Sequence, residues 1–124
     1  TFLMSKYKKL LSKSDKVRKL YDQKLFKLGI SSIQTQSDTV SNNHKLVIKV
    51  QDRDNLKAYL QSKNIQTQIH YYQPLSSQKM FATGEEMPNA VKFCKDVLSI
   101  PIHPFLKDHE VTRVCKCIGD FYGV

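Results

Sequence analysis

The chain has 124 residues, 40% hydrophobic and 25% charged, with only four Gly and four Pro, the size and make-up of one folded domain. Disordered, collagen-like and disulfide-scaffold classes are excluded, and apolar runs such as Val97-Leu98 and Ile100–Ile102 fall far short of the roughly 20 residues a membrane span needs. The formal charge is +9, yet residues 1–28 hold nine basic side chains against Asp15 and Asp22, and the remaining residues are nearly balanced.

The basicity therefore belongs to one segment rather than to the whole surface. Three cysteines, Cys94, Cys115 and Cys117, form no framework spacing and point to a reduced, cytoplasmic setting. Thr rather than Met stands first, with too short an apolar run behind it for a secretory signal. The chain is expected to be cut or trimmed from something longer.

In chain order, Leu3, Tyr7, Leu10, Leu11, Val17, Tyr21, Leu25 and Leu28 follow the three-and-four spacing of a single helical stripe. Lysines 6, 9, 13, 16, 24 and 27 mostly take the other face, and Gly29 offers a C-terminal stop. A helix from Phe2 to Leu28 outruns what a domain of this size can cover, so part of its stripe is expected to pack on something else. Ser31 to Asn43 is polar and aperiodic and reads as a connection.

The period then changes to two. Leu46, Ile48 and Val50 alternate with Lys45, Val47 and Lys49 as a half-buried strand. Asp52 or Asp54 is placed to cap a helix carrying Leu56, Tyr59, Leu60 and Lys63. Asn64 suits a left-handed exit. Ile65, Thr67, Ile69 and Tyr71 alternate with Gln66, Gln68, His70 and Tyr72, which predicts a second strand ended by Pro74.

A loop over 74–86 leads to Pro88, which fits a first helical turn. Ala90, Val91, Cys94 and Val97 form the buried side of that helix. Leu98, Ile100 and Ile102 make a third strand, and Val111, Val114, Cys115, Ile118 and Phe121 the stripe of a last helix from Asp108. The expected class is α+β, or a small α/β domain: a three-stranded sheet with helices packed on it.

Residue types alone offer little chemistry. Glycine-rich phosphate loops, G-x-S-x-G, H-E-x-x-H and paired C-x-x-C motifs are all missing. Cys115 and Cys117 would point about 200° apart on a helix, a poor grip for one metal ion, and Glu85 and Glu86 read as solvated loop charges. The lysine-rich helix could neutralise a nucleic-acid backbone, but it has one Arg and no aromatic on its basic face to stack bases; a solvated outer face is the plainer reading. His70 and Tyr72, on the strand face opposite Ile69 and Tyr71 and next to a loop, are the best local candidates for binding a sugar hydroxyl or phosphate. His103, between Ile102 and Pro104, reads as a turn residue.

The ordered segments say more than any single residue. Asp52-Arg53-Asp54-Asn55-Leu56 with Tyr59-Leu60, then Asn64-Ile65-Gln66-Thr67-Gln68-Ile69-His70-Tyr71, Pro74-Leu75 and Leu98-Ser99-Ile100-Pro101-Ile102-His103-Pro104 resemble the C-terminal small domain of the DegT/DnrJ/StrS aminotransferases. Tyr21-Asp22-Gln23-Lys24-Leu25 is similar to the end of that family's linking helix, and His44 with Leu46, Ile48 and Val50 to its next strand. Asn64 replaces a usual Gly, Leu46 an aromatic, and Ser76 a histidine that would face substrate.

The resemblance implies a pyridoxal-phosphate (PLP) enzyme of the aspartate aminotransferase fold that aminates keto-sugar nucleotides for surface polysaccharide or related glycans. It divides the chain into a linking helix at 1–30 and a small domain at 31–124, with the large PLP-binding domain absent. The Schiff-base lysine, the ring-stacking aromatic and the acid on the ring nitrogen belong to that large domain, and none of the 17 lysines here sits in a matching motif. The expectation is that this chain alone binds no PLP and does not transaminate. His70, Tyr71 and Tyr72 are the expected substrate-side residues, and the partners are a nucleotide-linked keto sugar and a large domain or homodimer partner, with no membrane. A stand-alone binding or scaffold module is the alternative; a nucleic-acid binder is the more distant one.

Overall fold

The computed structural model describes residues 1–34, 36–70, 72, 74 and 87–124. The expected 74–86 loop beyond Pro74, together with Tyr71, Leu75, Ser76, Glu85 and Glu86, lies outside the described residues.

Helix α1 runs Phe2–Lys27 and buries Ser14, Val17, Tyr21 and Leu25, a spacing of three and four that keeps one face inward. Its exit is a Schellman turn: Gly29 takes φ +71° and the Ile30 N–H reaches back to the Leu25 carbonyl at 3.0 Å. A residue without a Cβ adopts that left-handed conformation at no steric cost. The first half of the helix is different, with Phe2 72% and Leu3 78% exposed and Met4, Tyr7 and Leu10 also open to solvent. The overlong stripe is therefore present as expected, covered at one end only.

The sheet has three strands, β1 (Ser31–Ser32), β2 (Leu46–Lys49) and β3 (Val97–Ile100), all antiparallel in that order. Three segments depart from the sequence expectation. Ser31–Ser32 was expected to lie in a loop; it is held as an edge strand because the Arg18 guanidinium, paired with Asp22 at 3.1 Å, also donates to Ser32 Oγ and the Ile33 carbonyl. A side chain 14 residues away supplies what apolar periodicity does not.

Within the expected Ile65–Tyr72 strand, the described residues 65–70 keep one bridge, in which Gln68 and Ser99 exchange both backbone hydrogen bonds at 2.9 and 3.0 Å. Its alternation survives in burial, with Ile65 buried, Thr67 and Ile69 half-buried, and Gln66, Gln68 and His70 exposed. Period two thus correctly predicts facing while failing to predict pairing. The last strand begins one residue early, so Val97 belongs to β3 and not to the preceding helix, and Ile102 falls beyond the strand end.

Helix α2 (Arg53–Ser62) starts after Asp52, whose backbone is left-handed at φ 54° and whose side chain makes no capping bond. The expected acidic cap is therefore missing: Asp52 accepts from Asn55 Nδ2 and Asp54 from Arg53 Nε instead. Asn64, at φ 59°, takes the left-handed exit expected of it. Helix α3 (Pro88–Asp96) carries Pro88 in its first turn, and α4 (Asp108–Tyr122) buries Val111, Val114, Cys115, Ile118 and Gly119.

One sheet face holds Leu46, Ile48, Leu98 and Ile100, all at most 4% exposed, against Tyr21, Leu25, Leu56, Leu60 and Ile118 from α1, α2 and α4. That is the core, and the architecture is α+β. No helix among the described residues is long and apolar enough to cross a membrane.

Candidate functional site

The register of β2 and β3 sets up the site. Leu46 pairs with Ile100, so the residues before β2 and those after β3 leave the sheet at the same end. His44 and Lys45 arrive there from one side and Pro101, Ile102 and His103 from the other; Gln66, Thr67, Gln68 and His70, tied to Ser99, close the third. Together they line an open groove of about 300 Å³. Three histidines from distant motifs, 26 and 33 residues apart, meet in one concave surface with Lys45, and among the described residues no carboxylate lines it.

The walls are fixed by named bonds. The Tyr21 hydroxyl, on a residue with no exposed surface, donates to the Pro101 carbonyl at 2.7 Å. Asn43, buried and left-handed at φ 53°, donates through Nδ2 to Asp15 Oδ1 at 2.6 Å. His103 makes a turn, its Nδ1 accepting from Phe105 N at 3.2 Å and its carbonyl from Leu106 N at 3.2 Å. Because Nδ1 accepts, the neutral ring carries its proton on Nε2. The turn role read from Pro104 holds, and the same residue also lines the groove.

Of the expected substrate-side residues, His70 lines the groove, Tyr72 is 66% exposed and is not among the residues lining it, and Tyr71 lies outside the described residues. His70 also borders a second, more apolar hollow of about 170 Å³ formed by Ile33, Val47, Phe93 and Leu98 with Lys45 and Ser99. Sequence reading missed that His44 and His103 would join His70. The signal lay in the antiparallel order of the two strands they flank.

Several motif residues prove to be structural clamps. Arg53 is 7% exposed and donates Nη1 to the Cys94 and Val97 carbonyls at 2.8 and 3.0 Å, satisfying groups that the end of α3 leaves open. Asp22 accepts from Arg18 and from Ser32 Oγ. These residues hold the domain together and do not line the histidine groove.

Burial pushes the Cys115 thiol up to about 11, which keeps it protonated and unreactive at neutral pH. The phenol of Tyr21 is also raised, chiefly by burial. Among the described residues no group of three or more His, Cys, Asp and Glu is placed to hold a metal ion. PLP chemistry needs an enclosed lysine and a carboxylate opposite the ring nitrogen. No described lysine is buried, and the groove offers Lys45 alone without any acid, so the described residues do not fit the cofactor.

The α+β architecture is one found in aminotransferases of PLP fold type I. More narrowly, the chain belongs to the DegT/DnrJ/EryC1/StrS aminotransferase family, whose profile matches residues 3–119. It is 34% identical over 80 residues to a dTDP-3-amino-3,6-dideoxy-alpha-D-galactopyranose transaminase of Aneurinibacillus thermoaerophilus, covering 63% of this chain and 22% of that protein. It is 35% identical over 83 residues to a "pleiotropic regulatory protein" of Geobacillus stearothermophilus, covering 64% of this chain and 22% of the relative.

Among solved structures, a DegT/DnrJ/EryC1/StrS aminotransferase from Brucella abortus superposes with a TM-score of 0.83 at 24% identity, over 93% of this chain and 32% of that one. DesV of S. venezuelae, solved with a ketimine intermediate, gives 0.80 at 28% identity, over 90% and 32%. The chain spans about a fifth of the length of these curated relatives and a third of the structures.

Proposed function

We propose that this chain is the C-terminal small domain of a PLP-dependent aminotransferase acting on keto-sugar nucleotides, and that the histidine groove is its substrate-facing surface. The observation that carries the reading is the meeting of His44, His70 and His103 with Lys45 in one groove. These side chains donate hydrogen bonds to phosphate and hydroxyl oxygens, which suits a nucleotide-linked sugar. His70 orients the sugar nucleotide, while the lysine and acid that perform the proton transfers come from a large domain.

The open half of α1 supports the same reading. Phe105, 64% exposed with Lys13 Nζ 5.0 Å over its ring, brings apolar surface to the strap that carries His103. A large domain seated on Phe2 to Leu10 would therefore border the groove.

The test has two parts. Sequencing the DNA upstream of the Thr1 codon should reveal a reading frame of about 200 or more residues, at least one domain in size, bearing a large domain with its lysine. The intact polypeptide should then transaminate a nucleotide-linked keto sugar, and His70→Gln should lower kcat/KM by roughly 10- to 100-fold, the worth of one hydrogen bond to a charged group. A stop codon or an unrelated gene upstream would favour a stand-alone module, and an unchanged kcat/KM would remove His70 from the site.

A further inference from the structure

We infer that Asp15 and Tyr21 of α1 are positioning residues that set the two sides of the histidine groove. His103 follows Pro101 by two residues, and the Pro101 carbonyl is gripped by the Tyr21 hydroxyl at 2.7 Å, a contact across 80 residues of sequence. His44 follows Asn43 directly, and the Asn43 side-chain amide is gripped by the Asp15 carboxylate at 2.6 Å.

Each grip acts just beyond the sheet ladder, where strand pairing no longer restrains the backbone. Pro101 lies past the last paired residue of β3, and a proline has no N–H with which to extend the ladder. Asn43 precedes β2 in a left-handed conformation, with its own N–H on Ser41 Oγ and the His44 N–H on Asn42 Oδ1. Asp15 and Tyr21 are six residues apart on one rigid helix, about 9 Å along its axis. The separation of His44 from His103 is thus referred to α1, whereas His70 is referred to β3 through the Gln68–Ser99 bridge.

This assignment predicts selective effects. In the 124-residue chain, imidazole resonances of His44, His70, His103 and His109 are followed by NMR through a pH titration. Tyr21→Phe, which removes one hydroxyl, should displace the His103 resonances and leave those of His70 and His109 in place. Asp15→Ala should displace His44 alone, and Asp15→Asn, which keeps a side-chain carbonyl as acceptor, should restore it.

A role confined to stability would lower Tm in these variants while all four folded-state spectra stay the same, and that result overturns the assignment. Equal displacement of all four histidines overturns it as well. Should Tyr21→Phe fail to fold, the Asp15 pair carries the test, since Asp15 is exposed. The inference draws its relevance to activity from the proposed function, but the titration does not depend on it: unmoved histidines with His70-dependent transamination would refute the positioning alone, and moved histidines without transamination would refute the functional reading alone.

Discussion

The two halves of α1 are built from the same residue classes at the same spacing, yet they behave oppositely. Val17, Tyr21 and Leu25 are at most 7% exposed, while Phe2, Leu3, Met4 and Tyr7 are all more than 50% exposed. The second half meets the sheet and α4; the first extends past them into solvent. An apolar stripe records that a surface is to be covered and does not say by what. Here it runs from a completed core to an uncovered surface, and the groove lies near the changeover, where Lys13 covers Phe105.

Core truncation should expose that contrast most strongly. Leu25→Ala is expected to destabilise the isolated chain by about 2–5 kcal/mol, the usual cost of a large-to-small change in a packed core, whereas Leu3→Ala should stay within about 0.5 kcal/mol. Urea unfolding of both variants measures the gap. Comparable losses would mean that the first half of α1 is packed after all.

The Arg53 clamp comes next. Arg53→Met leaves the Cys94 and Val97 carbonyls without their donor and should cost about 1–3 kcal/mol, the price of buried groups left unpaired. Hydrogen exchange should locate the loosening in α3 and β3 and leave the end of α1 protected. Loss of protection throughout would show that the clamp supports the whole fold.

Thiol labelling yields a smaller effect. At pH 8 Cys117 should react first, with Cys94 and Cys115 labelled only on unfolding, because both are buried and the Cys115 thiol is held up at about 11. Mass spectrometry of timed samples reads the order. Early labelling of Cys115 would contradict a closed contact between α1 and α4.

The smallest effect belongs to Glu110, whose carboxylate accepts from the Lys107 N–H at 2.7 Å at the start of α4. That bond holds its pKa below the ordinary 4.5. A depressed carboxylate contributes stability at pH values above the unfolded value and loses it as pH falls through the folded one. The Tm difference between the natural chain and Glu110→Ala should therefore be greatest near neutrality and shrink below about pH 4.5. A difference that persists in acid would point to packing instead of the charge.

Much of this architecture was legible in the residues. The four helices follow from apolar spacing with Gly29, Asn64 and Pro88 as punctuation, and β2 from strict alternation. Ser31–Ser32 was not legible, because Arg18 and a pairing partner define that strand rather than its own side chains. The segment 65–70 shows correct facing and almost no ladder, since alternation reports which side chains are buried and not how many backbone groups pair. His70 was a local candidate by its own neighbourhood. His44 and His103 became groove residues only through strand register, a property of two segments together that neither carries alone.

Under the proposed function, the open half of α1 and the histidine groove form one surface that the rest of an aminotransferase covers. Side-chain footprinting tests this directly, comparing the 124-residue chain with the intact polypeptide. Phe2, Leu3, Met4, Tyr7 and Phe105 should label readily in the chain alone and become protected in the intact protein, together with His44, His70 and His103. Equal labelling of these residues in both would contradict it.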